Sequence, residues 1–221
     1  TTTLGHIATI PVLVNDDDAI ILDHQAHNSV HTAVSIVKSR GIKVEMIRHN
    51  RIDMLEDRIK FLRQKHSRIW YMADGIYSMY GDASPVNEVH QLLNRYEELF
   101  YYVDDAHGMS CFGKNGCGYV LNQQPMHDRM IMAASLAKGF ATGGAVLVFP
   151  NKELAGKVRK CGSSFITSGP MQPCQLGAAI AAAKIHLTDE IYYSYVKDSQ
   201  YNAQYESYGL TYKLSITFMQ F

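Results

Sequence analysis

The sequence lacks a net charge, a long apolar run and paired cysteines. Basic and acidic residues are equal in number, 21 of each, so there is no general electrostatic reason to expect a nucleic acid or an anionic membrane as partner. No apolar run reaches the roughly 18 residues that a membrane-spanning helix needs. The first residues carry neither a basic segment nor an initiator methionine, which argues against a signal peptide. We therefore expect neither a nucleic acid partner nor a membrane span.

The four cysteines, Cys111, Cys117, Cys161 and Cys174, form no CxxC pair. Scattered cysteines in a chain of 221 residues are more typical of reduced side chains than of a disulfide framework, which favours a cytoplasmic protein. Apolar residues make up 47% of the chain and charged residues 19%, the composition of a globular protein and not of a disordered one.

Short apolar runs alternate with helical patterns along most of the chain. The predicted strands are residues 19–23, 44–47, 68–73, 100–103, 130–134 and 145–149. The predicted helices are residues 4–14, 28–40, 53–65 (with Asp53 as cap), 86–96, 152–160 and 172–195. This alternation predicts an α/β fold with a mostly parallel sheet covered by helices on both faces. Ligands of such sheets collect beyond the carboxyl ends of the strands, where Asp23, Asp74 and Asp104 lie.

The segment from residue 100 to residue 149 contains the main candidate site. A predicted strand ends in Asp104, and His107 follows three residues later. Lys138 lies in a turn of small residues after Ser135. A carboxylate can keep a pyridine nitrogen protonated, and an unprotonated lysine can bind an aldehyde. These side chains fit pyridoxal phosphate (PLP), although Lys138 taken alone also fits a surface lysine at a strand end, and Asp104 a helix cap.

Other motifs allow two interpretations each. His24, His27 and His31 have helical spacing that a metal site could use, but no carboxylate partner accompanies them, and stacking of His27 on an aromatic ring is an alternative. Residues 74–85 form a loop with a hydroxyl at Ser78, which fits either a ligand contact or an ordinary surface loop. Residues 165–173 fit an anion site or simple helix capping. The glycines of residues 112–118 do not connect a strand to a helix, so they are not a dinucleotide fingerprint.

Five motifs in order resemble the α-oxoamine synthases, a branch of the fold-type I PLP-dependent enzymes. The motifs are DHQAHNS, DGIYSMYGD, VDDAHG, SLAKGF and FITSGPMQP, and the resemblance extends from residue 1 to about residue 191. It implies the large domain of a PLP-dependent transferase over residues 1–195 and the start of a small C-terminal domain over residues 196–221. It also implies that further residues precede and follow this sequence, among them the arginine that holds the substrate carboxylate.

The resemblance also implies a role for each matching residue. Lys138 corresponds to the Schiff-base lysine, Asp104 to the partner of the pyridine nitrogen and His107 to the partner of the ring oxygen. His27 corresponds to the residue that stacks on the ring. The remaining expected cofactor contacts are Ser78, Ser135, Thr2 and Thr3, the last two through backbone amides at a helix start.

Two motifs depart from the family pattern. Tyr80 stands where the family often has an acid, and Gly169 and Pro170 replace part of a phosphate contact that the neighbouring subunit provides.

The implied function is an acyltransferase that condenses an amino acid with an acyl-CoA in a homodimer. The alternatives are an aminotransferase of class I/II, which differs in its acceptor, and a non-catalytic subunit or inactive fragment of the same fold.

Overall fold

The computed structural model describes residues 1–188, in which strands and helices alternate. The strands are β1 (Ala19–Asp23), β2 (Lys43–Ile47), β3 (Ile69–Asp74), β4 (Leu99–Asp104), β5 (Met130–Ser135) and β6 (Ala145–Val148). The helices are α1 (Thr2–Leu13), α2 (Asn28–Lys38), α3 (Ile52–Leu62), α4 (Val86–Arg95), α5 (Tyr119–Gln123), α6 (Lys152–Cys161), α7 (Ser163–Thr167) and α8 (Pro173–His186). All six predicted strands are present within two residues of their predicted bounds.

One sheet contains all six strands in the order β2-β1-β3-β4-β5-β6. Strands β1 to β5 pair in parallel, and β6 alone pairs antiparallel with β5. Parallel neighbours need a crossover, and α2, α3 and α4 supply the crossovers between the first four strands. The predicted mostly parallel α/β sheet is confirmed.

The two faces of the sheet bury alternate residues of each strand. On β3, Ile69, Tyr71 and Ala73 pack in the core that contains Leu55 of α3 and Val89 of α4. Trp70 and Met72 point to the opposite core, which contains Ile10 of α1 and Val30 of α2. Each fully buried large apolar side chain contributes about 1.5–3 kcal/mol. Helices on both faces therefore fix the strand ends, where the candidate site lies.

Several sequence predictions need correction or lie outside the described residues. Asp53 does not cap α3; the N-cap residue is Arg51, which makes no side-chain capping bond and instead pairs through its guanidinium with Asp53. The short helices α5 and α7 were not predicted. The predicted final helix ends at His186 in the described part, and its remainder and the predicted small domain, residues 196–221, lie outside it.

Among residues 1–188, no helix combines the length and the apolar character that crossing a membrane requires.

Candidate active site

Three neighbouring parallel strands each end in a buried aspartate. Asp23 ends β1, Asp74 ends β3 and Asp104 ends β4, and Asp74 and Asp104 are direct partners in the strand register. Their exposed fractions are 0%, 3% and 4%. A buried carboxylate is unfavourable unless it is paired or protonated. The surroundings of each aspartate therefore decide its charge.

His6 of α1 is the partner of Asp104. Its Nε2 lies 2.9 Å from Asp104 Oδ2, and its Nδ1 lies 2.7 Å from the hydroxyl oxygen of Tyr102. Because a carboxylate only accepts, Nε2 donates to Asp104, and Nδ1 shares a hydrogen bond with the Tyr102 hydroxyl. Burial alone would raise the pKa of Asp104, but the hydrogen bond and charge of His6, aided by Lys138, lower it. Asp104 is therefore held as a carboxylate.

The sequence analysis missed His6. It lies in a helix whose other residues are apolar or small, TTLGHIATIPVL, and its partner is 98 positions away in the chain. A polar ring on the fully buried side of such a helix must find a hydrogen-bond partner in the protein. A histidine in an apolar helix was the one available signal in the sequence, and it does not identify Asp104 as the hydrogen-bond partner.

Among residues 1–188, no histidine side chain bonds Asp74. Its Oδ1 accepts the backbone amide of His27 at 3.0 Å. Burial, followed by the negative charge of Asp104, raises the pKa of Asp74 to about 8. Asp74 is therefore protonated at neutral pH, beside a neighbour that is ionised.

Lys138 and His107 meet directly. Lys138 Nζ lies 2.5 Å from His107 Nε2. Burial, followed by the charge of Lys138, lowers the pKa of His107 to about 4, so the imidazole is neutral and Nε2 can accept from the lysine. Burial also lowers the pKa of Lys138, although the negative charge of Asp104 opposes this shift. The amine is therefore easier to deprotonate than an exposed lysine, as a nucleophilic lysine requires.

The turn after β5 fixes the backbone of Lys138. The hydroxyl of Ser135 accepts the amide of Ala137 at 3.1 Å, and the amide of Ala141 donates to the carbonyl of Lys138 at 2.8 Å. Gly144 has a φ of 96°, which glycine adopts without strain, and Ala141 has a φ of 57°, which is uncommon for a residue with a Cβ atom. The glycine in this predicted turn therefore has a conformational basis.

His27 lies at the start of α2, where it acts as the N-cap residue. Its Nδ1 accepts from the amide of Ser29 at 3.2 Å, which leaves Nε2 at the opposite edge of the ring. Burial lowers the pKa of His27, and charges on Asp104 and Lys138 also affect it, so these side chains share one electrostatic environment.

Within residues 1–188, no group of three or more histidine, cysteine, aspartate or glutamate side chains could hold a metal ion.

The four other predicted cofactor contacts are two backbone amides, of Thr2 and Thr3, and two hydroxyl groups, of Ser78 and Ser135. Thr2 and Thr3 are the first residues of α1, and their amides precede the first bond of the helix, from Gly5 to the carbonyl of Thr1. The hydroxyl proton of Ser135 remains available to a ligand, because its oxygen is the acceptor for Ala137. Ser78 lies half-buried in the loop between Ile76 and Ala83. Within residues 1–188, no hydrogen bond joins Ser78 to Lys138, His107, Asp104 or His27.

A fourth buried carboxylate, Asp105, supports the segment that carries His107. It is fully buried, and its Oδ2 accepts the amide of Val120 at 3.1 Å. Gly75, Gly108 and Gly118 enclose it so closely that a Cβ atom on any of them would overlap its carboxyl group. Burial raises the pKa of Asp105 to about 7. The glycines are therefore needed for close packing around an acid that forms no ion pair with any other residue from 1 to 188.

The comparisons with known proteins agree with the fold. The family model for aminotransferase class I and II matches residues 3–205. An 8-amino-7-oxononanoate synthase from Thermosipho melanesiensis is 31% identical over 179 residues, which are 80% of this chain and 44% of that protein. The corresponding protein from Fervidobacterium nodosum is 33% identical over 186 residues, 82% of this chain and 46% of that one. The chain thus spans less than half the length of these curated relatives.

Two solved structures share the fold. A serine palmitoyltransferase from S. paucimobilis with a bound PLP–myriocin aldimine superposes with a TM-score of 0.75 at 23% identity, over 86% of this chain and 48% of that chain. The 8-amino-7-oxononanoate synthase from Francisella tularensis gives a TM-score of 0.67 at 23% identity, over 84% of this chain and 52% of that chain. At this identity the likeness shows the fold alone. The family model and the sequence matches establish that the chain belongs to the aminotransferase class I and II family. Within that family, the 8-amino-7-oxononanoate synthase relatives support the α-oxoamine synthase branch.

Proposed function

We propose that this chain is part of a PLP-dependent acyltransferase of the α-oxoamine synthase type, which condenses an amino acid with an acyl-CoA. One observation carries the proposal: Lys138, with a lowered pKa, contacts the neutral His107 at the sheet edge where His6 keeps Asp104 ionised. The sequence relatives favour acyl transfer, because they are 8-amino-7-oxononanoate synthases.

The donors at this edge of the sheet fit PLP chemically. The cofactor presents an aldehyde, a basic pyridine nitrogen, a ring hydroxyl and a phosphate. The chain offers a partly desolvated amine at Lys138, a carboxylate at Asp104, a neutral imidazole at His107 and free amides at the start of α1. When bound, PLP supplies an aldehyde that combines with amines and a ring that accepts electrons from the substrate Cα.

Asp104 and His27 would hold the two sides of the ring system. The carboxylate of Asp104 would accept a hydrogen bond from the protonated pyridine nitrogen, and the charge on Asp104 would keep that proton in place. His6 fixes the Asp104 carboxyl through Oδ2, and the amide of Ala106 donates to Oδ1 at 3.0 Å. The imidazole of His27, a neutral ring at the start of α2, would stack on the cofactor.

Lys138 would move protons during the reaction. With cofactor and substrate bound, Nζ of Lys138 would remove a proton from the substrate Cα or return one to it. His107 Nε2 accepts a hydrogen bond from Nζ and would restrain the amine between these steps. His107 would also contact the ring oxygen.

The cofactor phosphate would lie at the start of α1. The amides of Thr2 and Thr3 precede the hydrogen-bonded part of the helix, and the positive end of the helix dipole favours an anion. The hydroxyl of Ser135 would donate to the same phosphate. Ser78, in the loop after β3, would contact the cofactor from the side of Asp74.

The proposal includes a homodimer in the cytoplasm. Apolar side chains on α7 and α8 are exposed, including Phe165, Ile166, Leu176 and Ile180 at 48%, 65%, 52% and 51%, and they support a subunit contact on that side. The four cysteines are free, as expected in a reducing compartment.

Visible absorbance of the purified chain with added PLP, before and after borohydride reduction, tests the cofactor assignment. We expect a band that borohydride abolishes and a reduced pyridoxyl adduct on Lys138 in peptide mass mapping. The variant Lys138→Ala should lose band and adduct, and Lys152→Ala, which removes an exposed lysine on α6, should keep both. Absence of the band in wild-type protein that is folded by circular dichroism would contradict the proposal.

A second assay separates the two types of transferase. The PLP-loaded protein is mixed with amino acids and acyl-CoA, and free thiol, carbon dioxide and keto acids are measured. Release of free CoA thiol together with carbon dioxide is expected of the acyltransferase. Keto-acid release without thiol would instead identify an aminotransferase.

A further inference from the structure

His49 bridges two carboxylates that come from different parts of the chain. Its Nδ1 lies 3.1 Å from Asp23 Oδ1, and its Nε2 lies 2.6 Å from Asp82 Oδ2. Carboxylates only accept hydrogen bonds, so both ring nitrogens donate and the ring is an imidazolium. Within residues 1–188, His49 is the one ion-pair partner of the fully buried Asp23. The bridge is thus the means by which this buried charge is balanced.

On one side of His49, Asp23 organises the turn that leads to His27. Its Oδ1 accepts the amide of Gln25 at 2.8 Å, and its Oδ2 accepts the amide of Asn50 at 2.9 Å. His27 follows Gln25 by two residues and begins α2. Movement of the Asp23 carboxylate would therefore be transmitted to the backbone that carries the His27 ring.

On the other side, Asp82 belongs to the loop of residues 75–84, which carries Ser78. The amide of Tyr77 donates to the carbonyl of Asp82 at 2.9 Å, and Ile76 pairs with Ala83 in an antiparallel bridge. His49 also packs edge-on against Tyr77, with 4.2 Å between ring centroids. Next to it in the chain, Asn50 donates from its side chain to the carbonyl of Ala83 at 3.0 Å.

These contacts restrain the base of the loop and leave its tip free. Met79 and Tyr80 at the tip are 76% and 69% exposed, so the tip has few packing contacts of its own. Ser78 lies between this exposed tip and the restrained Tyr77. The position of the Ser78 hydroxyl therefore depends on the contacts at the base of the loop. His49 makes two of these contacts, with Asp82 and with Tyr77.

We propose that His49 is a positioning residue that ties the loop of residues 75–84, with Ser78, to the turn of residues 23–27, with His27, so that both stay in place around the candidate cofactor site. The inference rests on the proposed function for its purpose, since Ser78 and His27 are the two cofactor contacts that it would align. His49 itself would touch neither the cofactor nor the substrate.

The charge on His49 makes the bridge dependent on pH. Burial lowers the pKa of His49, but the hydrogen bonds to Asp82 and Asp23 outweigh burial, and the pKa is raised overall. The groups that face the ring are Asp23 from β1, and Asp82 and Tyr77 from the loop; the hydroxyl of Tyr71 on β3 lies 3.5 Å from Asp23. Because the folded pKa is raised, the bridge is complete below the ordinary histidine pKa and is lost as pH rises through the folded pKa.

Hydrogen–deuterium exchange of the full chain, with and without PLP, tests the bridge. Glutamine in His49→Gln carries both N–H donors on one nitrogen and cannot span the two carboxylates, so exchange should increase in residues 75–84 and in residues 23–28. In Asp82→Asn, whose side chain is 44% exposed in the wild type and whose folding is therefore less affected, it should increase in residues 75–84 alone. The control His66→Gln removes a ring whose one hydrogen bond to residues 1–188 is with the carbonyl of Asp17, and it should change neither segment.

PLP affinity distinguishes positioning from a purely structural role. The Kd for PLP should rise roughly three- to tenfold in His49→Gln, the Lys138 adduct should still form at saturating PLP, and the wild-type Kd should rise with pH as His49 loses its proton. Unchanged exchange in folded His49→Gln, or increased exchange with an unchanged Kd, would overturn the inference. If the wild-type protein shows no PLP band in its absorbance spectrum, the proposed function fails. Hydrogen–deuterium exchange without PLP still tests the His49 bridge in that case.

Discussion

Asp74 and Asp104 occupy equivalent positions at the ends of adjacent strands and carry different charges. They are register partners and are equally buried, at 3% and 4% exposure. Asp104 has the His6 ring as a donor and a lowered pKa. In the described part of the chain, the Asp74 side chain accepts only a backbone amide, and its pKa is about 8. At this edge of the sheet, the presence of a histidine side chain decides the protonation of an acid, and burial alone does not.

Asp105 supports this conclusion from the next position in the chain. It is buried like its neighbours and accepts a backbone amide, and no histidine side chain bonds it within residues 1–188. Its pKa is raised to about 7. Asp105 therefore behaves like Asp74 and unlike Asp104, as the presence or absence of a histidine predicts.

The largest effect should come from Asp104→Asn. Asparagine has nearly the same shape but no charge, so the pyridine nitrogen would lose the partner that keeps it protonated. We expect turnover to fall by about 100-fold or more, comparable to the loss of a key electrostatic contact in other enzymes. The matched control is Asp74→Asn, which imitates an acid that is already protonated and should change turnover little. Equal losses in the two variants would contradict the distinction between them.

A smaller effect is expected from His6→Phe. The change leaves the Asp104 carboxylate and the Tyr102 hydroxyl without their partner, and the free energy of unfolding should fall by about 1–3 kcal/mol. The pKa of Asp104 should rise, so that on acidification PLP affinity is lost at a higher pH than in the wild type. Binding of PLP at neutral pH should also be weaker. Denaturant unfolding and PLP titration measure the two effects.

Two further variants test whether the His6 effect is specific. His6→Gln retains a side-chain N–H donor and should recover part of the PLP affinity. His90→Phe removes another buried ring, on α4, whose Nε2 has no partner within residues 1–188, and it should leave PLP affinity unchanged. If His6→Phe and His90→Phe weaken PLP binding equally, His6 has no special relation to Asp104.

The last prediction concerns the pH dependence of stability through Asp74. The folded pKa of about 8 lies above the ordinary value of 3.8, so between these values the folded state binds more protons than the unfolded state. Stability therefore decreases as pH rises through this window. Asp74→Asn removes this loss, and its Tm should exceed that of the wild type by a margin that grows with pH. A margin that stays constant across the window would show that Asp74 does not hold its proton.

The sequence predicted those parts of the site that follow from local patterns. Short apolar runs ending in acids gave the strand ends, and glycines and other small residues after Ser135 gave the turn that presents Lys138. The pairing of His6 with Asp104 could not be predicted, because it joins α1 to β4 through the packing of a helix on the sheet. The cap assigned to Asp53 was wrong, because the neighbouring Arg51 forms a bidentate pair with that carboxylate.

The role of His49 was beyond sequence reasoning for a related reason. Its ring nitrogens reach partners 26 and 33 positions away in the chain, one of them at a strand end and the other in a loop. Neither the spacing nor the composition around His49 marks it, since it follows β2 in an ordinary turn. Only the order of strands, which places β1 between β2 and β3, brings these segments together.

Infrared difference spectroscopy of the carboxyl groups tests the distinction between Asp74 and Asp104 most directly. In mildly acidic buffer without PLP, a protonated carboxylic acid shows a carbonyl band that a carboxylate lacks. We expect Asp74→Asn to remove such a band and Asp104→Asn to remove none, with Asp105→Asn identifying the band of the third acid. Removal of a protonated-acid band by Asp104→Asn, with Asp74→Asn leaving the spectrum unchanged, would contradict the assignment of charge at this site.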